Sequence, residues 1–208
     1  MIQIKNAAEL ALMRRACEIS AAALKAGGEA IEPGISTAEI DKIIYDFIVR
    51  HGARPNFLHL YGFPATACIS VNDTVIHGIP NHNQKIRPGD IVSIDTGCKI
   101  NGFNGDNACT FACGKVDLEA RRLMEVTRES LHRGIAAAQA GNRIGDIGHA
   151  VQSYVEENGF SVVRSFVGHG VGKELHEDPE VPNYGTPGRG PRLVPGMTIA
   201  IEPMVNQK

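Results

Sequence analysis

Residues 91–106, IVSIDTGCKINGFNGD, decide how this chain is read. Ile91, Val92 and Ile94 have the β-branched, apolar character of a buried strand. Asn101-Gly102 then supplies the dipeptide favoured where both turn positions need positive φ. A two-residue turn there sets opposite each other positions whose numbers sum to 203. Asp95 faces Ala108, and Asp106 lies two residues along from Ala108 on the returning strand. Side chains alternate faces, so Asp95 and Asp106 share one as diagonal neighbours, about 7–8 Å apart. Carboxylates that close repel unless a proton or a cation lies between them. The competing reading is a solvated hairpin with two unrelated acids.

The whole-chain totals narrow the classes. A length of 208 residues suits one large domain or two small ones. Hydrophobic residues at 43% and charged residues at 21% imply an ordinary globular core. A net charge of −2 offers no basic field for nucleic acid. The opening MIQIKNAAEL lacks the apolar core of a signal peptide, and no run approaches the ~18 apolar residues of a membrane span. Five cysteines, an odd number without CxxC spacing, read as free thiols in a reducing cytoplasm. A thiolate metal site built from Cys98, Cys109 and Cys113 is the weaker alternative.

Outward from the hairpin, four helices are expected. Asn6 and Glu9 make a capping box for one running to about Gly27. Ser36 and Glu39 make another, ahead of an apolar stripe at Ile40, Ile43, Ile44, Phe47 and Ile48 that stops near Gly52. A third helix runs from Asp117 to about Ala140, and a fourth from Asp146 to Glu157 with Ile147, Ala150, Val151, Tyr154 and Val155 on one face. Residues 55–64, PNFLHLYGFP, read as a loop that presents side chains or packs on the core. Strands are expected at Cys68–Val71 and Thr74–Ile76 around an Asn72-Asp73 turn, at SVVRSFV ending in Gly168-His169-Gly170, and at MTIAIEPMV. The intervening LHEDPEVPNYGTPGRGPRLVPG reads as irregular.

The second half repeats the first with an offset of 107: Gly27 with Gly134, Gly34 with Gly141, Ile40 with Ile147, Gly52 with Gly159, and Pro88-Gly89 with Pro195-Gly196. The same offset lays IVSID on TIAIE and so Asp95 on Glu202. The expected architecture is α+β: one domain over 1–208, made of two related halves at about 7–113 and 114–208, pseudo-two-fold, with an antiparallel sheet covered by two helix pairs. The counterpart of Asp106 would fall near position 213, so the second half is expected to lack its last strands.

Glu202 lies between Ile201 and Pro203, where an unpaired carboxylate is costly. Structural salt bridges are one solution. A metal cluster is another: Asp95, Asp106 and Glu202 offer hard oxygens, and His169, flanked by two glycines, offers an imidazole. That donor set suits Mn, Fe, Co or Zn. Three carboxylates and a bridging hydroxide balance two divalent ions, as two-metal hydrolysis requires.

The chain resembles a type I methionine aminopeptidase of the creatinase/aminopeptidase "pita-bread" superfamily. The matching pieces are HGIP at His77, SIDTG at Asp95, GDNACTF at Asp106, GHGVG at His169, LHEDP at His176 and IEPMV at Glu202, in the family's order. Only 32 residues separate His169 from Glu202, too few for the helical insertion of type II enzymes. The resemblance implies a cytoplasmic, monomeric metallo-exopeptidase with two divalent ions (Co, Mn, Fe or Zn). It would remove initiator methionine from nascent chains emerging from the ribosome, and would prefer a small second residue. Asp95 would chelate one metal and Asp106 would bridge both. His169 and Glu202 would ligate the second, Glu202 serving also as general base. His176 would stabilise the oxyanion, and His77 would stand near the substrate amine. Phe57, Phe63, Cys68 and Leu175 match positions lining the methionine pocket. The family's fifth ligand, a bridging glutamate, falls beyond Lys208. Two other readings follow: a non-catalytic binding member of the fold, and a proline-specific peptidase, which typically carries an extra N-terminal domain.

Overall fold

The hairpin forms in the expected register. In the computed structural model, which describes residues 1–207, β3 (Ile91–Ile100) pairs with β4 (Phe103–Ala112), Ile100 opposite Phe103 and Asp95 opposite Ala108. Asn101 and Gly102 both have positive φ, 51° and 84°, as the tight turn demands. The residues fall into two compact units. The first holds Ala8–Asp117 with Lys173–Leu175; the second holds Met1–Ala7, Leu118–Gly172 and the residues from His176 onward.

In the first unit α1 (Ala7–Glu29) and α2 (Thr37–Arg50) cover one face of the sheet. β3 is central: β4 runs along one edge, and the short β1 (Arg54–Pro55) and β2 (Ala67–Val71) follow each other along the other. Val92, Ile94 and Cys98 point from β3 into a core with Ile19 and Leu24 of α1 and Ile40, Ile44 and Ile48 of α2. Each such aliphatic side chain stabilises by about 1.5–3 kcal/mol when fully buried. The alternate residues Ser93 and Asp95 are half-buried on the opposite face. Sheet and helix approach closely: a Cβ on Gly105 would lie 2.4 Å from the Ala16 carbonyl oxygen. α2 begins with the expected capping box, Ser36 Oγ accepting from Glu39 N and Glu39 Oε2 accepting from Ser36 N at 2.8 Å. The Ser36 hydroxyl, donating to Glu39 Oε2 at 2.6 Å, the Ser36 N–H and Lys85 together hold the Glu39 carboxyl down at about 2.

The second unit has α3 (Leu118–Ala137), α4 (Ile144–Glu157) and the short strands β5 (Ser161–Val162), β6 (Gly168–Gly170), β7 (Glu177–Val181) and β8 (Val205–Asn206). β5 pairs with β8, and β6 with β7, both antiparallel. Local contacts recur at the offset seen in the sequence. Gly34 N donates to Ile86 O at 2.8 Å, and Gly141 N to Leu193 O at 2.9 Å. A Cβ on Gly27 would meet Ile44, and one on Gly134 would meet Val151. Gly89 and Gly196 have φ of 94° and 91°.

Several expected elements differ. Thr74–Ile76 forms no strand: β2 pairs with β3 instead, and Asn72 turns the chain while its side chain bonds Asp90 and the Ile91 N–H. The run SVVRSFV breaks after Val162, where Arg164 swings out over the Tyr184 ring at 4.6 Å. LHEDPEV is not irregular, because Glu177–Val181 is β7. Pro179 is tolerated there because the register jumps from Glu180 opposite His169 to Glu177 opposite Gly170, so the bulge absorbs the residue that cannot donate. MTIAIEPMV pairs intermittently, through Thr198 and Ala200 to Val171 and His169, and through Met204 to Val163.

Candidate metal centre

The first unit presents a carboxylate pair. Asp95 sits opposite Ala108 and Asp106 opposite Gly97, so both acids project from the face of the hairpin that the helices leave open. Ser93 and Thr110, on the same face, share a hydroxyl–hydroxyl bond of 2.8 Å. Close packing fixes the acids: a Cβ on Gly97 would stand 2.7 Å from the Gly105 carbonyl oxygen, and Gly105 itself abuts α1. Cys68 lies opposite Asp95 on β2. Burial, reinforced by the charges of Asp95, Asp106 and Asp41, pushes its thiol up to about 12, so it stays neutral and acts as an apolar wall.

Beside this pair Phe57, Cys68 and Leu175 form a buried apolar cluster, with Leu60 and Phe63 packed against it. The segment carrying Leu175 is held by the Lys173 carbonyl, which accepts from Asn104 Nδ2 at 3.0 Å and from Lys99 Nζ. The four residues expected to line a pocket therefore do come together. His77 is exposed, with φ of 57°, and is no part of that cluster. The next residue, Gly78, packs so tightly on β2 that a Cβ would lie 2.2 Å from the Ile69 carbonyl oxygen.

The second unit presents an imidazole–carboxylate pair. His169 sits at the bulge of β6, and its flanking glycines are required: a Cβ on Gly168 would lie 2.3 Å from Ala200 O, and one on Gly170 2.2 Å from Asp178 O. His169 Nδ1 is 2.8 Å from the Gly170 carbonyl, which can only accept, so Nδ1 carries the proton. In the neutral ring this leaves the Nε2 lone pair toward Glu202, whose Oε1 stands 3.2 Å away. The separation suits an ion pair, and among the described residues buried Glu202 Oε1 has no hydrogen-bond donor. Two acceptors so placed need a proton or a cation between them, and a carbonyl-oriented imidazole beside a carboxylate is a usual metal-binding arrangement. The donors fit a divalent ion. His176 stands edge-on to His169, ring centroids 4.5 Å apart. Asn183, buried in the proline- and glycine-rich stretch, donates to the Glu202 carbonyl at 2.8 Å. Sequence reasoning passed over Asn183, since an asparagine among turn residues gives no sign that it will be buried.

Hard oxygen donors, one oriented imidazole and an apolar cluster beside the acids are the equipment of a metal-dependent hydrolase. Metallopeptidase family M24 matches residues 11–208, and the chain belongs to that family. It is a metallo-exopeptidase of the pita-bread fold. It is 54% identical to the methionine aminopeptidase of Clostridium perfringens over 99% of this chain and 82% of that protein. It is 50% identical to methionine aminopeptidase 1 of Bacillus subtilis, over 99% of this chain and 83% of that one. The crystal structure of the Rickettsia prowazekii methionine aminopeptidase superposes with a TM-score of 0.97 at 37% identity, covering 99% of this chain and 83% of that one. The Pyrococcus horikoshii prolidase superposes less closely, at 0.82 and 26% identity over 96% of this chain and 55% of that one.

Proposed function

We propose that this protein is a methionyl aminopeptidase that removes N-terminal methionine, with a small second residue preferred, and that residues 1–208 act as one catalytic domain of two related halves. What carries the reading is the apolar cluster of Phe57, Cys68 and Leu175 set against the Asp95 carboxylate. An unbranched, uncharged side chain seated there brings the substrate's N-terminal end to the acids. Asp95, Asp106, His169 and Glu202 are the proposed ligands of two divalent ions, drawn from Mn, Fe, Co and Zn. Bound there, such ions supply Lewis acidity, which acidifies water and polarises a carbonyl.

The remaining chemistry belongs to the chain. Glu202 accepts the proton of the attacking water. His176 donates a hydrogen bond to the scissile carbonyl oxygen as negative charge develops. His77 approaches the substrate amine and scissile nitrogen. Nascent chains at the ribosome are the proposed substrates and the cytoplasm the proposed compartment. The five free cysteines and the lack, among the described residues, of a helix long and apolar enough to cross a membrane are consistent with that.

The test is release of methionine from Met-Ala-Ser with and without Mn²⁺, beside an Asp95→Ala control. Metal-dependent release absent from the control is expected. Equal release by both proteins would remove Asp95 and with it the centre.

A further inference from the structure

Lys5 and Glu177 form an ion pair of 2.5 Å across 172 residues of sequence, and their side chains are only 5% and 8% exposed. The pair is built in. Lys5 N donates to the Gly196 carbonyl at 2.8 Å, and Lys5 Nζ also donates to Gln3 O at 3.3 Å. A Cβ on Gly172 would lie 2.5 Å from Glu177 Oε1 and 2.6 Å from Lys5 Cε, so the pair occupies the space a side chain there would need. Buried ion pairs contribute little net stability over apolar packing, because desolvation offsets the attraction. Their well-attested use is to select one geometry. Glu177 opens β7 opposite Gly170, and the residue just before it is His176, whose exposed ring stands edge-on to His169.

We propose that Lys5, acting through Glu177, is a positioning residue for the His176 imidazole. The role rests on the aminopeptidase reading of His176. Lys5 fixes the direction of the Glu177 side chain, and that fixes the backbone from which His176 projects. A displaced imidazole stabilises developing charge less well, while substrate still enters the apolar cluster. The effect therefore falls on turnover rather than on substrate binding.

The test uses Lys5→Met and the double variant Lys5→Met/Glu177→Gln, which leaves no uncompensated buried charge if the single variant folds poorly. On Met-Ala-Ser with Mn²⁺, the folded variants should lose about 10-fold or more in kcat, with KM within about twofold of the parent. Placed in a His176→Ala background, the same changes should cause no further loss. In metal-free protein labelled with ¹⁵N-histidine, the His176 ring resonance, identified by its absence in His176→Ala, should move while that of His77 stays. An unchanged kcat in the double variant, an equal loss in the His176→Ala background, or an unmoved His176 resonance would each overturn the proposal. If the parent releases no methionine, the aminopeptidase reading fails, and the ring resonances still decide the role of Lys5.

Discussion

Adding one carbon at Gly168 isolates the geometry of the imidazole–carboxylate pair. A Cβ there would stand 2.3 Å from the Ala200 carbonyl oxygen. Carbon–oxygen contacts are normally about 3.3 Å or longer, so the two segments must part by about 1 Å. The obstacle is backbone, and no rotamer relieves it. Two hydrogen bonds cross at this point, His169 N to Ala200 O at 3.2 Å and Ala200 N to His169 O at 2.7 Å. Losing both costs about 2 kcal/mol. The same displacement separates His169 Nε2 from Glu202 Oε1, now 3.2 Å apart. Widened to about 4.2 Å, the two donors could share an ion at about 2.0–2.2 Å only from nearly opposite sides of it, instead of from adjacent positions. Gly168→Ala should therefore lower Mn²⁺ affinity by about 10- to 100-fold in calorimetry and lower the urea midpoint. Gly159→Ala is the control: its φ is 83° and none of the described residues lies within 4 Å of the added carbon. It should cost about 1 kcal/mol in backbone strain and leave affinity intact. A Gly168→Ala protein that binds Mn²⁺ like the parent would refute the reasoning, as would an equal loss in the control.

Three further outcomes are expected. Glu39 has its carboxyl lowered from 4.5 to about 2 by Ser36 and Lys85, so its contribution is fully present above about pH 4.5 and lost as pH falls toward 2. The urea midpoint of the parent should thus fall more between pH 5 and pH 2.5 than that of Glu39→Gln; parallel slopes would contradict this. Burial, with the neighbouring Cys17, pushes the Cys98 thiol up to about 12, so at pH 8 iodoacetamide should label exposed Cys109 and spare Cys98 until the protein unfolds, as read by mass spectrometry. Leu175→Ala removes one wall of the apolar cluster. It should lower kcat/KM for Met-Ala-Ser by about 10-fold or more, and an unchanged value would detach the cluster from substrate recognition.

Local chemistry made the hairpin legible. Asn101-Gly102 permits one tight turn, and that turn dictates which residues face Asp95. Ser36 and Glu39 announced α2 for the same reason, since a capping box is written within four residues. The offset of 107 paired residues, not contacts; that Gly34 to Ile86 and Gly141 to Leu193 recur at the same spacing follows because recurring glycines mark recurring backbone conformations. β7 was hidden because a proline argues against a strand, and only the partner strand reveals the bulge that accommodates Pro179. Thr74–Ile76 misled in the opposite sense: β-branched residues beside a turn dipeptide suggest a hairpin, but β2 had a longer partner in β3. The Lys5–Glu177 pair left no trace, since a charge pair spanning 172 residues has no period and no motif.

The arm that carries Lys5 also orders events during synthesis. Apart from three residues, the first unit is one continuous stretch, Ala8–Asp117, and is nearly complete in sequence before most of the second unit is made. Met1–Ala7 belongs to the other unit and bonds there to Glu177 and Gly196. Residues 1–7 are therefore made before the first unit and find their places only with the second. Until Gly196 has been made, Lys5 carries its charge in water at the end of an undocked tether. Its burial waits on residues as distant as Gly196, so the seating of this arm is tied to synthesis of the second unit.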